Sequence, residues 1–279
     1  MSGQVTTTKS PAKQSSAAMS QRFGARARVV LDRWGPEVSA IAVGIIGWEV
    51  LGRVLQFRFF PPLSAVLEAW WEIYQTGELI TELMMSLRSL AIGYGLAVVA
   101  GLAVGVLMGR YRKVEYFLDP FIDINLSTPS LTYIPVLFAL FGVGDATRYI
   151  IVFSYAFFII VVNTVAGIRS VDHELLEMAR SFGASEGALF RKIMLPDALP
   201  LIMAGLRIGI TRAVKGMING ELFIALVGLG ARVRIYGGQF DVEKVLALLV
   251  TIIVVALAAT SVVQIIDRRL TFWAETVQR

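Results

Sequence analysis

Four stretches of the chain, Ser89–Gly109, Ile124–Val143, Tyr149–Ile168 and Val245–Ile266, each run 20 to 22 residues without one Asp, Glu, Lys or Arg. About 20 helical residues cross the hydrocarbon core of a bilayer, so each is long enough to span it. Two weaker stretches join them. Val38–Val54 carries Glu49 and Arg53, and Leu199–Ala225 carries Arg207, Arg212, Lys215 and Glu221. Only 17% of the 279 residues are charged, against about a quarter in an ordinary soluble domain. The expected fold class is all-α: a polytopic membrane domain of six transmembrane helices over residues 35–279. Met1–Ser20 is rich in Ser, Thr, Gln and Ala and lacks the apolar core of a signal peptide, which predicts a disordered cytoplasmic tail over residues 1–34.

Charge distribution orients the spans. With the N-terminus inside, the tail and the loops after the second, fourth and sixth spans hold sixteen Lys and Arg residues, against six in the opposite loops. The positive-inside rule then places both termini in the cytoplasm. The net charge of +5 follows these membrane-flanking loops, which argues against a nucleic-acid partner. Between the first two spans, Pro61-Pro62-Leu63-Ser64 reads as a turn before a short outer-surface helix over Ala65–Tyr74, in an external segment that also holds Glu68, Glu72, Glu78 and Glu82. Gly93, Ala97, Gly101, Gly105 and Gly109 recur every four residues in the second span and predict a face where another helix packs closely. There is no cysteine, and His173 is the one histidine. It reads as an exposed loop residue, so no metal site is expected.

The loop from Arg169 to Ala198 is too polar to span and strongly patterned. Asp172 can cap a first short helix, Phe182-Gly183-Ala184 breaks it, and Ser185 can cap a second helix that Pro196 is expected to end. Such an amphipathic hairpin could lie on lipid headgroups, or it could present its turn to a partner protein's groove.

Glu177-Met178-Ala179, three residues, Gly183, nine residues, then Ile193-Met194-Leu195-Pro196 resembles the signature loop of the permease subunits of binding-protein-dependent ABC importers: E-A-A, three residues, G, nine residues, I-x-L-P. Met178 is the one departure. Phe60–Val66, Leu118-Asp119-Pro120, Asn163–Gly167, Arg180–Ser185 and Leu206-Arg207 extend the resemblance over roughly Phe60–Trp273, toward the branch serving sulfonates, taurine and nitrate. The resemblance implies an ABC importer permease fold in a bacterial inner membrane, with a cytoplasmic coupling-helix hairpin. It implies an ATPase-docking loop of Glu177, Ala179, Arg180, Ser181, Phe182, Gly183, Ala184, Ser185, Ile193, Leu195 and Pro196. It also implies a homodimer or paired permease among membrane lipids, two cytoplasmic ATPase subunits and an external substrate-binding protein. No Gly-x-x-x-x-Gly-Lys-Ser/Thr loop occurs, so this chain is expected to be no enzyme and to hold no cofactor, with ATP and Mg bound on the ATPase.

Two groups of residues are candidates for the translocation pathway. Asn125, Ser127, Thr128, Ser130 and Thr132 surround Pro129 and Pro135 in the third span, where freed backbone groups need protein or a wet cavity; Ser and Thr bonding back to the preceding turn is the alternative. Arg212, Lys215, Asn219 and Glu221 lie deep in the fifth span, where charges must be paired or face water. Lys215 and Glu221 are expected to find partners on another span or across a dimer. A surplus of positive charge there suits a small anion such as a sulfonate, nitrate or carboxylate. A gradient-driven transporter or channel is the alternative, one that leaves the Gly183 hairpin without a role. A membrane enzyme lacks paired carboxylates or a nucleophile arrangement in the spans.

Overall fold

Prolines and glycines, more than charges, decide where the helices stop. The computed structural model describes residues 39–55, 57–224 and 226–272; the predicted tail 1–34 lies outside them. The chain divides into two units, Met1–Ala65 and Val66–Arg279.

In the first unit, helix α1 (39–55) is followed by a turn at 57–62. The charges that weaken this apolar stretch are used locally. Arg53 bonds to the Glu49 carboxylate at 2.6 Å, and Glu49 also accepts the Ser64 N–H at 3.0 Å and its hydroxyl at 2.9 Å. The Trp48 indole donates to the Pro61 carbonyl at 3.0 Å.

From there every described element is helical: α2 (Leu63–Gln75), α3 (Glu78–Arg110), α4 (Arg112–Ser127), α5 (Ile134–Phe141), α6 (Asp145–Arg169), α7 (His173–Ser181), α8 (Glu186–Leu189), a π-turn (Phe190–Met194), α9 (Leu195–Ile224), α10 (Leu229–Gly238) and α11 (Val242–Leu270). Among the described residues, four helical stretches are long and apolar enough to cross a membrane: Glu78–Arg110, Asp145–Arg169, Glu186–Ile224 and Val242–Leu270.

The core is α3 and α9 packed on α6. On α3 the small residues form a ladder: a β-carbon at Gly93, Gly101, Gly105 or Gly109 would strike Val152, Ile160, Thr164 or Ile168 in turn. Both numbers rise together, so α3 and α6 run parallel. On α9 the order reverses, with Gly205 against Asn163, Gly209 against Ile160, Gly216 against Tyr155 and Gly220 against Ile151. That makes α9 antiparallel to α6. In lipid there is no hydrophobic drive between apolar helices, so this close approach, with its dispersion contacts, is what holds them. Leu90, Ala97, Ala156, Ile160, Ala213 and Met217 are buried at the centre. Arg207 pairs with Asp267 near the C-terminal end of α11.

Because α3 and α6 are parallel, the chain from 111 to 144 has to return along the bundle. It does so as two helices, not as the single third span read from Ile124–Val143. Thr128, forced toward extended backbone by Pro129, takes φ −84° and ψ 131° and ends α4. Pro135 sits in the first turn of α5, where its missing N–H costs nothing. Pro120 lies inside α4.

Other boundaries also shift. α3 begins at Glu78, so Glu78 and Glu82 belong to the helix and not to an outer loop, and Arg148 lies in the first turn of α6. The helix after Ser185 does not end at Pro196. A proline ring clashes with the carbonyl four residues back in a regular α-helix, and here the wider π-turn, closed by the Leu195 N–H bonding to the Phe190 carbonyl, accommodates it. Helical structure therefore continues from Glu186 to Ile224.

Candidate functional site

The hairpin forms from local signals. The Asp172 carboxylate accepts the Glu174 N–H at 2.8 Å and caps α7, and the Ser185 hydroxyl accepts the Ala188 N–H at 3.3 Å to cap α8. Between them α7 ends in a Schellman turn. Gly183 takes φ 80°, its N–H bonds to the Arg180 carbonyl at 2.9 Å, and the Ala184 N–H bonds to the Ala179 carbonyl at 3.1 Å. Ala179, Ala184, Ile193 and Met194 pack around buried Val171, Leu176 and Leu189.

What the hairpin leaves outside is as specific as what it buries. Leu175, Met178 and Phe182, spaced three and four apart along one helical face, are 43%, 56% and 86% exposed. Met178, the departure from the signature, therefore adds apolar surface beside Phe182 and disturbs no packing. Glu177, Ser181 and Leu195 are exposed and Pro196 is half-buried in the first turn of α9. The Ser181 hydroxyl donates to the Glu177 carbonyl at 3.0 Å. Glu186 joins the hairpin to a spanning helix, with Arg180 Nε at 3.1 Å on one carboxylate oxygen and Arg110 Nη2, from the end of α3, at 3.4 Å on the other. The Arg110 guanidinium also lies 5.8 Å from the Phe190 ring centre.

The pathway candidates divide. Thr211, Arg212 and Lys215 are exposed on one face of α9, and among the described residues neither Arg212 nor Lys215 has an ion-pair partner. Asn219 continues this face and donates to the Tyr155 hydroxyl at 3.2 Å, and Tyr155 meets the Tyr133 ring edge-on. This links the α9 face to the break between α4 and α5, where Ser127 and Thr132 are exposed and Asn125, Thr128 and Ser130 are half-buried. The Thr128 hydroxyl bonds back to the Ile124 carbonyl at 2.7 Å.

Glu221 leaves that face and is 1% exposed. It accepts from the Ser86 hydroxyl at 2.9 Å and the Gly230 N–H at 3.0 Å, and lies 3.7 Å from Arg148. Glu82 accepts the Gly228 N–H at 2.5 Å and pairs with Arg232 at 2.7 Å. Two buried carboxylates thus clasp the N-terminus of α10, whose unpaired N–H groups favour negative charge. Farther along α10 the Tyr236 hydroxyl donates to Glu78 at 2.9 Å; burial and that carboxylate push its pKa up to about 12.

Residues 97–272 match the family described as the binding-protein-dependent transport system inner membrane component. The chain belongs to this family. A probable ABC transporter permease of Brucella abortus is 32% identical over 241 residues, covering 86% of this chain and 96% of that protein. The taurine transport system permease protein TauC of Escherichia coli is 30% identical over 248 residues, covering 86% and 90%. The putative aliphatic sulfonates transport permease protein SsuC of Bacillus subtilis is 29% identical over 239 residues, covering 85% and 87%. In fold, the chain is similar to a chain of the inward-facing MetNI methionine ABC transporter, with TM-score 0.59 and 22% identity over 67% of this chain and 94% of that one.

The matched region of this ABC permease contains the hairpin and the α9 face. Sequence reading missed the Arg110 to Glu186 link and the clasp. The clasp had a signal: the small-residue stripe of α3, continued toward its N-terminus, meets Ser89, Ser86 and Glu82, all buried polar residues on the packed face.

Proposed function

We propose that this chain is the permease subunit of an ATP-driven importer and carries a small organic or inorganic anion, such as a sulfonate, nitrate or carboxylate. The observation that carries the reading is the exposed Leu175, Met178 and Phe182 stripe, on a hairpin braced to α3 through Glu186. An 86% exposed Phe at a rigid turn suits insertion into a partner's groove. The partner is a cytoplasmic ATPase, two copies per transporter, holding the ATP and Mg. A gradient-driven transporter leaves this stripe without a role.

The parallel α3 and α6 support a crossing by the broken α4 to α5 segment between them; six spans with both termini in the cytoplasm rest on the loop charges. A spanning helix does not present bare Arg212 and Lys215 to lipid without large cost. The α9 face is therefore covered by a second copy of the chain, with an aqueous path between the two lined by Asn219 and the residues of the α4 to α5 break. Surplus positive charge there favours an anion, in line with the names of TauC and SsuC. An external binding protein delivers the cargo. Closure of the ATPase pair moves the hairpin as a rigid body, and the Glu186 link and the continuous Glu186–Ile224 helix transmit the motion to the spans.

Phe182→Glu tests the docking. The variant should insert at the wild-type level but lose ATPase co-purification and at least tenfold of ATP-driven uptake. Normal uptake would remove the hairpin from the docking role.

A further inference from the structure

At the end of the bundle opposite the hairpin, a cavity of about 130 Å³ lies between α3, α6 and the α9 to α10 connection, lined by Met85, Arg88, Ser89, Asp145, Arg148, Tyr149 and Val227. Arg88 stands about six turns from Arg110, roughly 33 Å along α3 at 1.5 Å per residue, which is about the thickness of a bilayer core.

Its polar groups are not balanced. Arg148 is 5% exposed; its Nη atoms reach Asp145 at 2.9 Å, the Met85 carbonyl at 3.0 Å and the Ser89 hydroxyl at 2.6 Å. Among the described residues, its Nε and the Tyr149 hydroxyl are buried and make no hydrogen bond. Buried donors are almost always satisfied. Two orphaned donors on the wall of one cavity mark a place where an acceptor fits. Arg88, on the same wall, is exposed and has no ion-pair partner among the described residues. Of the nearby carboxylates, Asp145 bonds to Arg148 at 2.9 Å and Glu221 lies 3.7 Å from it, so both share one guanidinium and neither pairs with Arg88. The space exceeds what a water needs several times over.

We infer that this cavity is an oxyanion subsite, which holds the charged head group of the cargo at the outer mouth before it enters the path. Arg88 supplies the charge, and Arg148 Nε and the Tyr149 hydroxyl supply directed donors, the chemistry by which guanidinium groups recognise sulfonate, carboxylate or phosphate. The inference rests on the anion reading of the cargo. A lipid phosphate has the same head-group chemistry, so the test separates the two sources.

The test uses the full chain in nanodiscs of neutral phosphatidylcholine, titrated with methanesulfonate and with nitrate and read by calorimetry. Wild type should bind at least one of them saturably. Arg88→Gln should weaken binding at least tenfold and Tyr149→Phe severalfold, with thermal midpoints unchanged in the absence of anion. No saturable binding, or binding indifferent to both variants, overturns the subsite; sulfonate uptake by the intact transporter would in that case leave the cargo reading standing. Binding that vanishes once phosphatidylglycerol is added to the nanodiscs assigns the cavity to lipid and overturns the cargo subsite. Arg88-dependent binding in a transporter that carries only neutral solutes overturns the cargo role by way of the cargo reading, with the anion contact intact.

Discussion

Gly183 and Gly228 both hold left-handed backbone, at φ 80° and 96°, but they do so for different reasons. Nothing lies within 4 Å of where a β-carbon at Gly183 would sit, whereas at Gly228 it would overlap the Glu221 carboxylate. Gly183→Ala should therefore cost only the left-handed penalty, about 1 kcal/mol. Gly228→Ala adds a displaced acceptor that leaves the Ser86 O–H and the Gly230 N–H without the carboxylate they donate to in a buried site, for a total of about 3 kcal/mol or more. Equilibrium unfolding in mixed micelles should rank the two in that order, and equal losses would remove the clasp from the account. The same contrast explains why one glycine was legible in the sequence and the other was not. Gly183 sits between a capped helix and Ser185, all within a few residues. Gly228 is needed because the Glu221 carboxylate occupies the place of its β-carbon, and that carboxylate is held there by Ser86, 135 positions from Glu221, a pairing of which spacing along the chain carries no trace.

Within α3, glycine does opposite things on opposite faces. A β-carbon at Gly105 would come within 2.5 Å of the Thr164 side chain, while at Gly95 it would meet nothing within 4 Å. Gly95→Ala should stabilise the protein by up to about 1 kcal/mol through helix propensity alone. Gly105→Ala should destabilise it by pushing α6 off the ladder, and the sign difference is measurable in the same unfolding assay. Two changes of the same sign would mean that α3 and α6 do not pack through this face. The face itself was readable as a period of four. The ends of the helix are not, because a charged residue in an apolar run reads as a limit. Glu82 is tolerated inside the helix because Arg232 and the Gly228 N–H meet it there, a compensation supplied by another element. Pro196 misled for a similar reason. A proline is a stop only when the preceding turn keeps α-helical spacing, and here the turn widens.

Counting helices by length among the described residues gives four crossings, but their directions do not fit that number. If α3 and α6 were successive spans joined by a segment that stays on one side, they would run antiparallel. The ladder from Gly93 against Val152 to Gly109 against Ile168 makes them parallel. The connecting residues, α4 of 16 and α5 of 8, supply roughly 36 Å of helix at 1.5 Å per residue, enough to return across a core of about 30 Å. The chain contains no cysteine, so single-cysteine variants report position directly. Val143→Cys and Gln239→Cys, both at exposed sites on the clasp side, should react with a membrane-impermeant maleimide in intact cells. Ser181→Cys and Arg191→Cys, exposed on the hairpin side, should react only after permeabilisation. Should Val143→Cys label together with Ser181→Cys, residues 111 to 144 do not cross. The parallel packing of α3 and α6 would then have no path that connects them.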